Sequence, residues 1–124
     1  MEFQKDNSFL SGRLKSVSYA FNGAIKLITT EHSVMVQFSI AVLMTIAGFY
    51  FNITTTEWLF QTLSIGMVIC IEGLNTAIEK IADFIHPNYH ARIGFIKDIS
   101  AGAVFFAAIT AIIVGLIIYI PKFL

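Results

Sequence analysis

The chain has 124 residues, of which 56% are hydrophobic and only 13% are charged, and its formal net charge is zero. A soluble domain is about a quarter charged, so eight basic and eight acidic side chains are too few to cover its surface. This composition predicts an integral membrane protein rather than a soluble helical bundle. Zero net charge gives no footprint for nucleic acid, which is therefore not expected as a partner.

An amphipathic segment, at about residues 8–30, precedes the apolar part of the chain. Its lysines fall on other faces than its apolar residues, which recur at spacings of three and four: Leu10, Leu14, Val17, Phe21, Ile25 and Ile28. This period predicts a helix. In a membrane protein we expect such a helix to lie along the interface with its apolar face towards the lipid.

Three apolar stretches follow, at about residues 34–51, 58–85 and 99–120. Each can cross a hydrocarbon core of about 30 Å, which takes about 20 helical residues. None shows the period-two alternation of a membrane strand. Pro87 is expected to end the second helix and Pro121 the third. The predicted fold is an all-α integral membrane domain over residues 1–124, with one surface helix and three transmembrane helices.

The basic residues predict the orientation in the membrane. Seven of the eight precede the first span or flank the connection between the second and third: Lys5, Arg13, Lys15, Lys26, Lys80, Arg92 and Lys97. Lys122 alone follows the third span. Because basic residues are retained on the cytoplasmic side, the N-terminus is expected inside and the C-terminus outside.

The inner half of the second stretch carries the candidate chemistry. At about 100° per residue, one helix face collects Glu72, Asn75, Thr76, Glu79 and Asp83. A charged carboxylate deep in a membrane costs about 2.5–3.5 kcal/mol on insertion scales, so such groups usually mark function. The residues alone leave three interpretations open: catalysis with a bound divalent metal, a proton or cation pathway, and hydrogen bonds that hold helices together.

Two further sites adjoin this acidic face in the predicted topology. Lys97 and Asp98 come just before the third span, and Glu31 stands at the cytoplasmic start of the first. A lysine there serves as a topology anchor or, opposite acids, holds phosphate while a metal bridges the acids to it. The sequence has neither a GxxxxGK phosphate loop nor a protein-kinase signature, so a nucleotide site would be built from helix side chains.

These residues resemble the signature of the prokaryotic diacylglycerol kinase family, which includes undecaprenol kinases. The resemblance is carried by residues 72–79 (EGLNTAIE), by Asp83 and by residues 97–104 (KDISAGAV), and it extends over nearly the whole chain. It implies a homotrimer of the bacterial inner membrane with sites shared between neighbouring subunits. It also implies transfer of the γ-phosphoryl group of ATP, with Mg²⁺, to the hydroxyl of diacylglycerol or undecaprenol.

The resemblance also assigns roles to residues. Glu72 matches the family's general base, and Asn75 its active-site neighbour. Glu31 and Glu79 match the carboxylates that hold the metal with the nucleotide phosphates. Lys97 matches the residue near the phosphates, and Asp98 matches its partner. Three further residues match positions at the nucleotide or the edge of the site: Asp83, Arg13 and Tyr19.

The sequence departs from the family pattern after Glu31. Ser33 replaces an asparagine that related kinases often carry there, and Gln37 replaces a histidine. Another branch has an acid at the position of Gln37. The lipid substrate is therefore left open between diacylglycerol and undecaprenol.

Overall fold

A computed structural model describes residues 9–124, and this part of the chain forms four α-helices. They are α1 (Phe9–Thr30), α2 (His32–Tyr50), α3 (Thr55–Ile85) and α4 (Ala91–Phe123). The last three are each long and apolar enough to cross a membrane. The predicted all-α fold, with one leading helix and three spans, is confirmed. Lys5 and position 8, the predicted start of the surface helix, lie outside the described residues.

The helices are longer than the apolar stretches that predicted them. At 1.5 Å per residue, α3 with 31 residues and α4 with 33 are about 46 and 50 Å long. The hydrocarbon core is only about 30 Å thick, so both helices extend beyond it. Lys97 and Asp98, expected just ahead of the third span, therefore lie inside α4, which begins at Ala91.

The prediction that Pro121 ends the third helix is wrong, because α4 continues through it to Phe123. Proline removes one backbone donor and crowds the preceding turn. In the last turn this disturbs little, since few residues follow. Pro87 acts as predicted, because α3 ends at Ile85 with His86 as its C-cap residue.

A short turn joins α2 to α3 at the end of the molecule away from α1. Asn52 adopts a positive φ of 52°, which asparagine tolerates better than most residues. Thr54 then caps α3: its hydroxyl accepts from the Glu57 N–H at 3.2 Å, and the Glu57 carboxylate accepts from the Thr54 N–H at 2.9 Å. This capping box starts α3 three residues before the predicted span.

Polar contacts tie α2, α3 and α4 together near this turn. The Gln61 amide donates to the Met44 carbonyl at 3.0 Å, and the Tyr119 hydroxyl donates to Gln61 Oε1 at 2.6 Å. Lys122 and Glu57 form an ion pair at 3.2 Å. A mostly apolar cavity of about 450 Å³ lies between the three helices, and its lining includes Gln61 and Gln37.

Candidate active site

The polar face of α3 changes from buried to exposed along its length. Glu72 and Thr76 are 7% and 9% exposed, whereas Glu79 and Asp83 are open to the surroundings. Counting about 30 Å of hydrocarbon from Thr55 reaches about position 75 of α3. Glu72 thus falls just inside the apolar layer, and the acids that follow it emerge at the boundary with water.

Gln37 connects α2 to the most buried of these carboxylates. The side chains of Gln37 and Glu72 lie close enough to interact, and Glu79 follows Glu72 two turns further along the same face. In the sequence, Gln37 stands out only as a departure from the family pattern. A signal was available, because an uncharged amide in an apolar run usually faces a polar partner on another helix.

Asn75 lies one turn from Glu79 on the same face. Its Nδ2 donates to Glu79 Oε1 at 3.3 Å. Its Oδ1 is buried and has no hydrogen-bond partner within residues 9–124. A buried unpaired acceptor costs about 1–3 kcal/mol, so such an atom in a cluster of polar groups is typical of a site that meets a ligand.

An ion pair joins the C-terminal part of α3 to the N-terminal part of α4. Lys97 Nζ lies 2.5 Å from Asp83 Oδ1, so the lysine singled out as a phosphate ligand sits on the acidic face. Both side chains are more than a third exposed, and exposed pairs contribute little to stability. The pair positions Lys97 at the site more than it stabilises the fold.

Glu31 occupies the break between α1 and α2. It is the N-cap residue of α2, with φ −104° and ψ 114°, but its side chain makes no capping hydrogen bond. Its Oε1 instead lies 3.2 Å from Lys80 Nζ at the end of α3. In the sequence, Lys80 bears only on the predicted topology, although it directly follows Glu79 at the end of the polar face.

A glycine lets α1 approach the site. A Cβ on Gly73 would lie 3.1 Å from Leu27 Cδ1, so the C-terminal part of α1 packs against α3 beside Glu72. With a Cβ at this position, the Leu27 side chain would have to give by a few tenths of an ångström. The contact brings the α1–α2 break, and Glu31 with it, to the acidic face.

Three predicted residues stay apart from this cluster. Arg13 and Tyr19 are exposed on α1, and Asp98 is exposed on α4. Within the described chain, no hydrogen bond or ion pair joins them to the carboxylates of α3. The structure thus brings together Glu72, Asn75 and Glu79, together with the pairs Asp83–Lys97 and Glu31–Lys80.

The carboxylates fit a magnesium ion that arrives with phosphate. No group of three or more His, Cys, Asp or Glu side chains converges on a metal position among the described residues. Magnesium keeps several waters and usually takes one or two carboxylates together with substrate phosphate oxygens. Glu31 and Glu79 could supply such carboxylate oxygens, and the unpaired Asn75 Oδ1 lies beside Glu79.

The fold and the site define a small helical membrane enzyme, with a carboxylate-rich face where one transmembrane helix leaves the apolar layer. The family model described as prokaryotic diacylglycerol kinase matches residues 18–119. The chain therefore belongs to the prokaryotic diacylglycerol kinase family, as the signature predicted, and it is a lipid kinase. The matched range contains every predicted site residue except Arg13.

Three relatives illustrate the similarity. The undecaprenol kinase of Bacillus subtilis (strain 168) is 33% identical over 122 residues, covering 98% of this chain and 99% of that protein. A diacylglycerol kinase of Synechocystis is 30% identical over 112 residues, covering 90% of this chain and 64% of that protein. The diacylglycerol kinase of Escherichia coli (strain K12) is 28% identical over 101 residues, covering 81% and 82% respectively.

Proposed function

We propose that this protein transfers the γ-phosphoryl group of ATP, with Mg²⁺, to the hydroxyl of diacylglycerol or undecaprenol. The observation that carries the proposal is the gradient along α3. Glu72 is buried at the edge of the apolar layer, and the same face continues to exposed acids and lysines. A lipid hydroxyl reaches Glu72 laterally from the bilayer, while the nucleotide arrives from water at the exposed end.

Glu72 acts as the general base in this proposal. The lipid oxygen attacks the γ-phosphorus, the bond to the β–γ bridging oxygen breaks, ADP leaves, and the hydroxyl proton passes to the Glu72 carboxylate. Gln37 orients that carboxylate from α2. Asn75, held by Glu79, presents its unpaired Oδ1 towards the reacting groups.

The phosphates are held by charge. Phosphoryl transfer requires positioning and neutralisation more than covalent chemistry from the protein. Lys97, held in place by Asp83, provides a cation for the phosphate oxygens. Glu31 and Glu79 would hold Mg²⁺ together with the phosphates, and the bound ion would neutralise charge on them. Asp98, Arg13 and Tyr19 lie at the outer edge of the nucleotide site.

The protein is oriented with its N-terminus and site in the cytoplasm of a bacterium, in the inner membrane, because the nucleotide is available there. The distribution of the basic residues supports the cytoplasmic placement of the N-terminus.

We also propose a homotrimer with sites shared between neighbours, as the family resemblance implies. Co-expression of a Glu72→Gln chain with a Lys97→Met chain tests sharing. Mixed trimers recover part of the activity if the two residues act across subunits, and none if each chain carries its own site.

A direct assay tests the activity. Purified protein in mixed micelles receives labelled ATP and Mg²⁺, with diacylglycerol and undecaprenol offered in parallel. We expect label in at least one lipid. With Glu72→Gln the labelling should fall at least 100-fold, because loss of a general base costs about 10²–10⁴-fold. Glu57→Gln, which alters an acid at the opposite end of α3, should label lipid nearly as wild type does. No transfer to either lipid, or full activity in Glu72→Gln, contradicts the proposal.

A further inference from the structure

Lys80 makes a contact that the proposed chemistry does not use. Its ammonium lies 3.2 Å from Glu31 Oε1 and connects the end of α3 to the α1–α2 break. The Lys80 side chain is 68% exposed, and ion pairs in such surroundings contribute little to stability. Stability therefore gives a weak reason for a lysine here, and Glu31 is not needed to cap α2.

The charge balance of the site gives a stronger reason. Five carboxylates lie at the cytoplasmic part of the described chain: Glu31, Glu72, Glu79, Asp83 and Asp98. Two of them are neutralised by lysine, Asp83 by Lys97 and Glu31 by Lys80. A triphosphate stays anionic even with one magnesium ion bound, so it is repelled by these acids unless several cations face it.

The position of Lys80 suits an exchange of partners. When a divalent ion takes the Glu31 carboxylate, the Lys80 ammonium loses its anion while staying next to the metal. The phosphate oxygens that bind the same metal are then within reach of the flexible lysine stem. A charge-assisted contact to phosphate replaces the ion pair with the carboxylate.

We propose that Lys80 is a second phosphate-binding group of the site, and that its ion pair with Glu31 is the resting state of that group. Magnesium-bound triphosphate exchanges the partners: the carboxylate of Glu31 goes to the metal and the ammonium of Lys80 goes to the phosphates. This inference rests on the proposed function, because it requires a nucleotide triphosphate at Glu31.

Nucleotide binding to the full-length protein in detergent micelles tests the inference. Calorimetry with Mg²⁺ compares an ATP analogue with an imido β–γ bridge against AMP, for wild type, Lys80→Met, Lys80→Arg and Lys26→Met. The last variant is the control, because it removes the same charge from the exposed face of α1. We expect Lys80→Met to weaken analogue binding about fivefold and to leave AMP binding unchanged. Lys80→Arg and Lys26→Met bind the analogue as wild type does.

Metal binding without nucleotide provides a second readout. In Lys80→Met, Glu31 has lost its competing cation, so Mn²⁺ followed by electron paramagnetic resonance binds about twofold more tightly than in wild type. If Lys80 only maintains the local structure, Lys80→Met should bind Mn²⁺ more weakly than wild type does, because its loss would weaken the binding of metal and of nucleotide alike.

The outcomes separate this inference from the proposed function. Unchanged analogue affinity in Lys80→Met, or an equal loss for AMP, overturns the role of Lys80 while wild type still phosphorylates lipid. Weaker Mn²⁺ binding in the variant also overturns it. Wild type that neither binds the analogue nor transfers phosphate overturns both proposals.

Discussion

The Tyr119 hydroxyl of α4 lies 2.6 Å from Gln61 Oε1 of α3, in an otherwise apolar part of the chain. The Gln61 amide in turn donates to the Met44 carbonyl of α2. Gln61 and Glu72 lie on the same buried face of α3, about 16 Å apart along the helix. The contact between Tyr119 and Gln61 thus fixes the rotation of α3, and with it the direction in which Glu72 points.

Tyr119→Phe removes the donor and leaves Gln61 Oε1 without it. Hydrogen bonds between membrane helices average about 0.6 kcal/mol and reach about 1.7, so we expect a loss of about 1 kcal/mol. Unfolding of the purified protein in mixed micelles measures this loss in the free energy of unfolding. Tyr50→Phe is the matched control, because it removes the same hydroxyl from a side chain that is 81% exposed. Equal stability of the two variants would refute the role of the contact.

A second packing contact depends on a glycine at the turn between α2 and α3. A Cβ on Gly48 would lie 2.5 Å from Trp58 Cη2, inside contact distance of a rigid ring. Gly48→Ala therefore pushes Trp58 away, and we expect a destabilisation of about 1–3 kcal/mol in the same unfolding assay. Gly12→Ala, in open space on α1, is the control and should be neutral or stabilising. A neutral Gly48→Ala would mean that the ring moves without cost.

The sequence predicted those features that depend on a period or a signature. The spacing of apolar residues and the length of the apolar stretches predict the four helices. A rotation of about 100° per residue places four polar residues of α3 on one face, namely Glu72, Asn75, Glu79 and Asp83. The start of α3 and both ends of α4 differ from the predicted stretches, because apolar composition marks where a helix meets lipid and not where its hydrogen bonding stops. Thr54 and Glu57 form a capping box that the pattern T-x-x-E could have revealed.

Pairs of residues distant in the sequence could not be predicted. The contact between Gln61 and Tyr119 depends on the rotation and depth of two separate helices, which neither residue's own surroundings in the sequence reveal. The same holds for Glu31 with Lys80, which requires the chain to break between α1 and α2 at one residue. The family pattern shows that Gln37 stands where related kinases carry a histidine. Its contact with Glu72 depends on how α2 packs on α3, which the sequence does not show.

The contact of Leu27 with Gly73 predicts an effect on activity without a loss of stability. Gly73→Ala places a Cβ 3.1 Å from Leu27 Cδ1, so the Leu27 side chain has to shift by a few tenths of an ångström beside Glu72. Alanine also favours the helix by about 1 kcal/mol, which offsets the strain. We expect lipid phosphorylation to fall about fivefold, as for a barrier raised by about 1 kcal/mol, with unfolding little changed. Adding Leu27→Ala relieves the clash and restores part of the activity. A double variant no better than Gly73→Ala would exclude this explanation.

Removal of magnesium should abolish phosphoryl transfer. Chelation with EDTA stops the reaction, and excess Mg²⁺ restores it, because a carboxylate-rich site cannot hold a triphosphate without the ion. Glu31→Gln and Glu79→Gln each raise the Mg²⁺ concentration for half-maximal rate, about tenfold, as for a ligand worth about 1.4 kcal/mol. Glu57→Gln serves as the control. A magnesium requirement unchanged in both site variants would exclude these carboxylates as ligands.

The contact between Gln37 and Glu72 predicts a change in the chemical step alone. Gln37→Leu keeps the side chain's approximate size but removes the polar partner of a buried carboxyl group. The base is then less well oriented towards the lipid hydroxyl, and a small misplacement of a catalytic group is expensive. We expect kcat to fall about tenfold, with KM for ATP unchanged because the phosphates lie further along α3.

Gln37→Glu distinguishes orientation from charge. It keeps the length of the side chain and a hydrogen-bonding oxygen but places a third acid beside Glu72 and Glu79. If a hydrogen-bonding neighbour is what Gln37 contributes, the glutamate variant keeps more of kcat than the leucine variant does. If the neighbour must be uncharged, the glutamate variant is the slower of the two. Equal kcat in all three proteins would show that Gln37 does not act on the base.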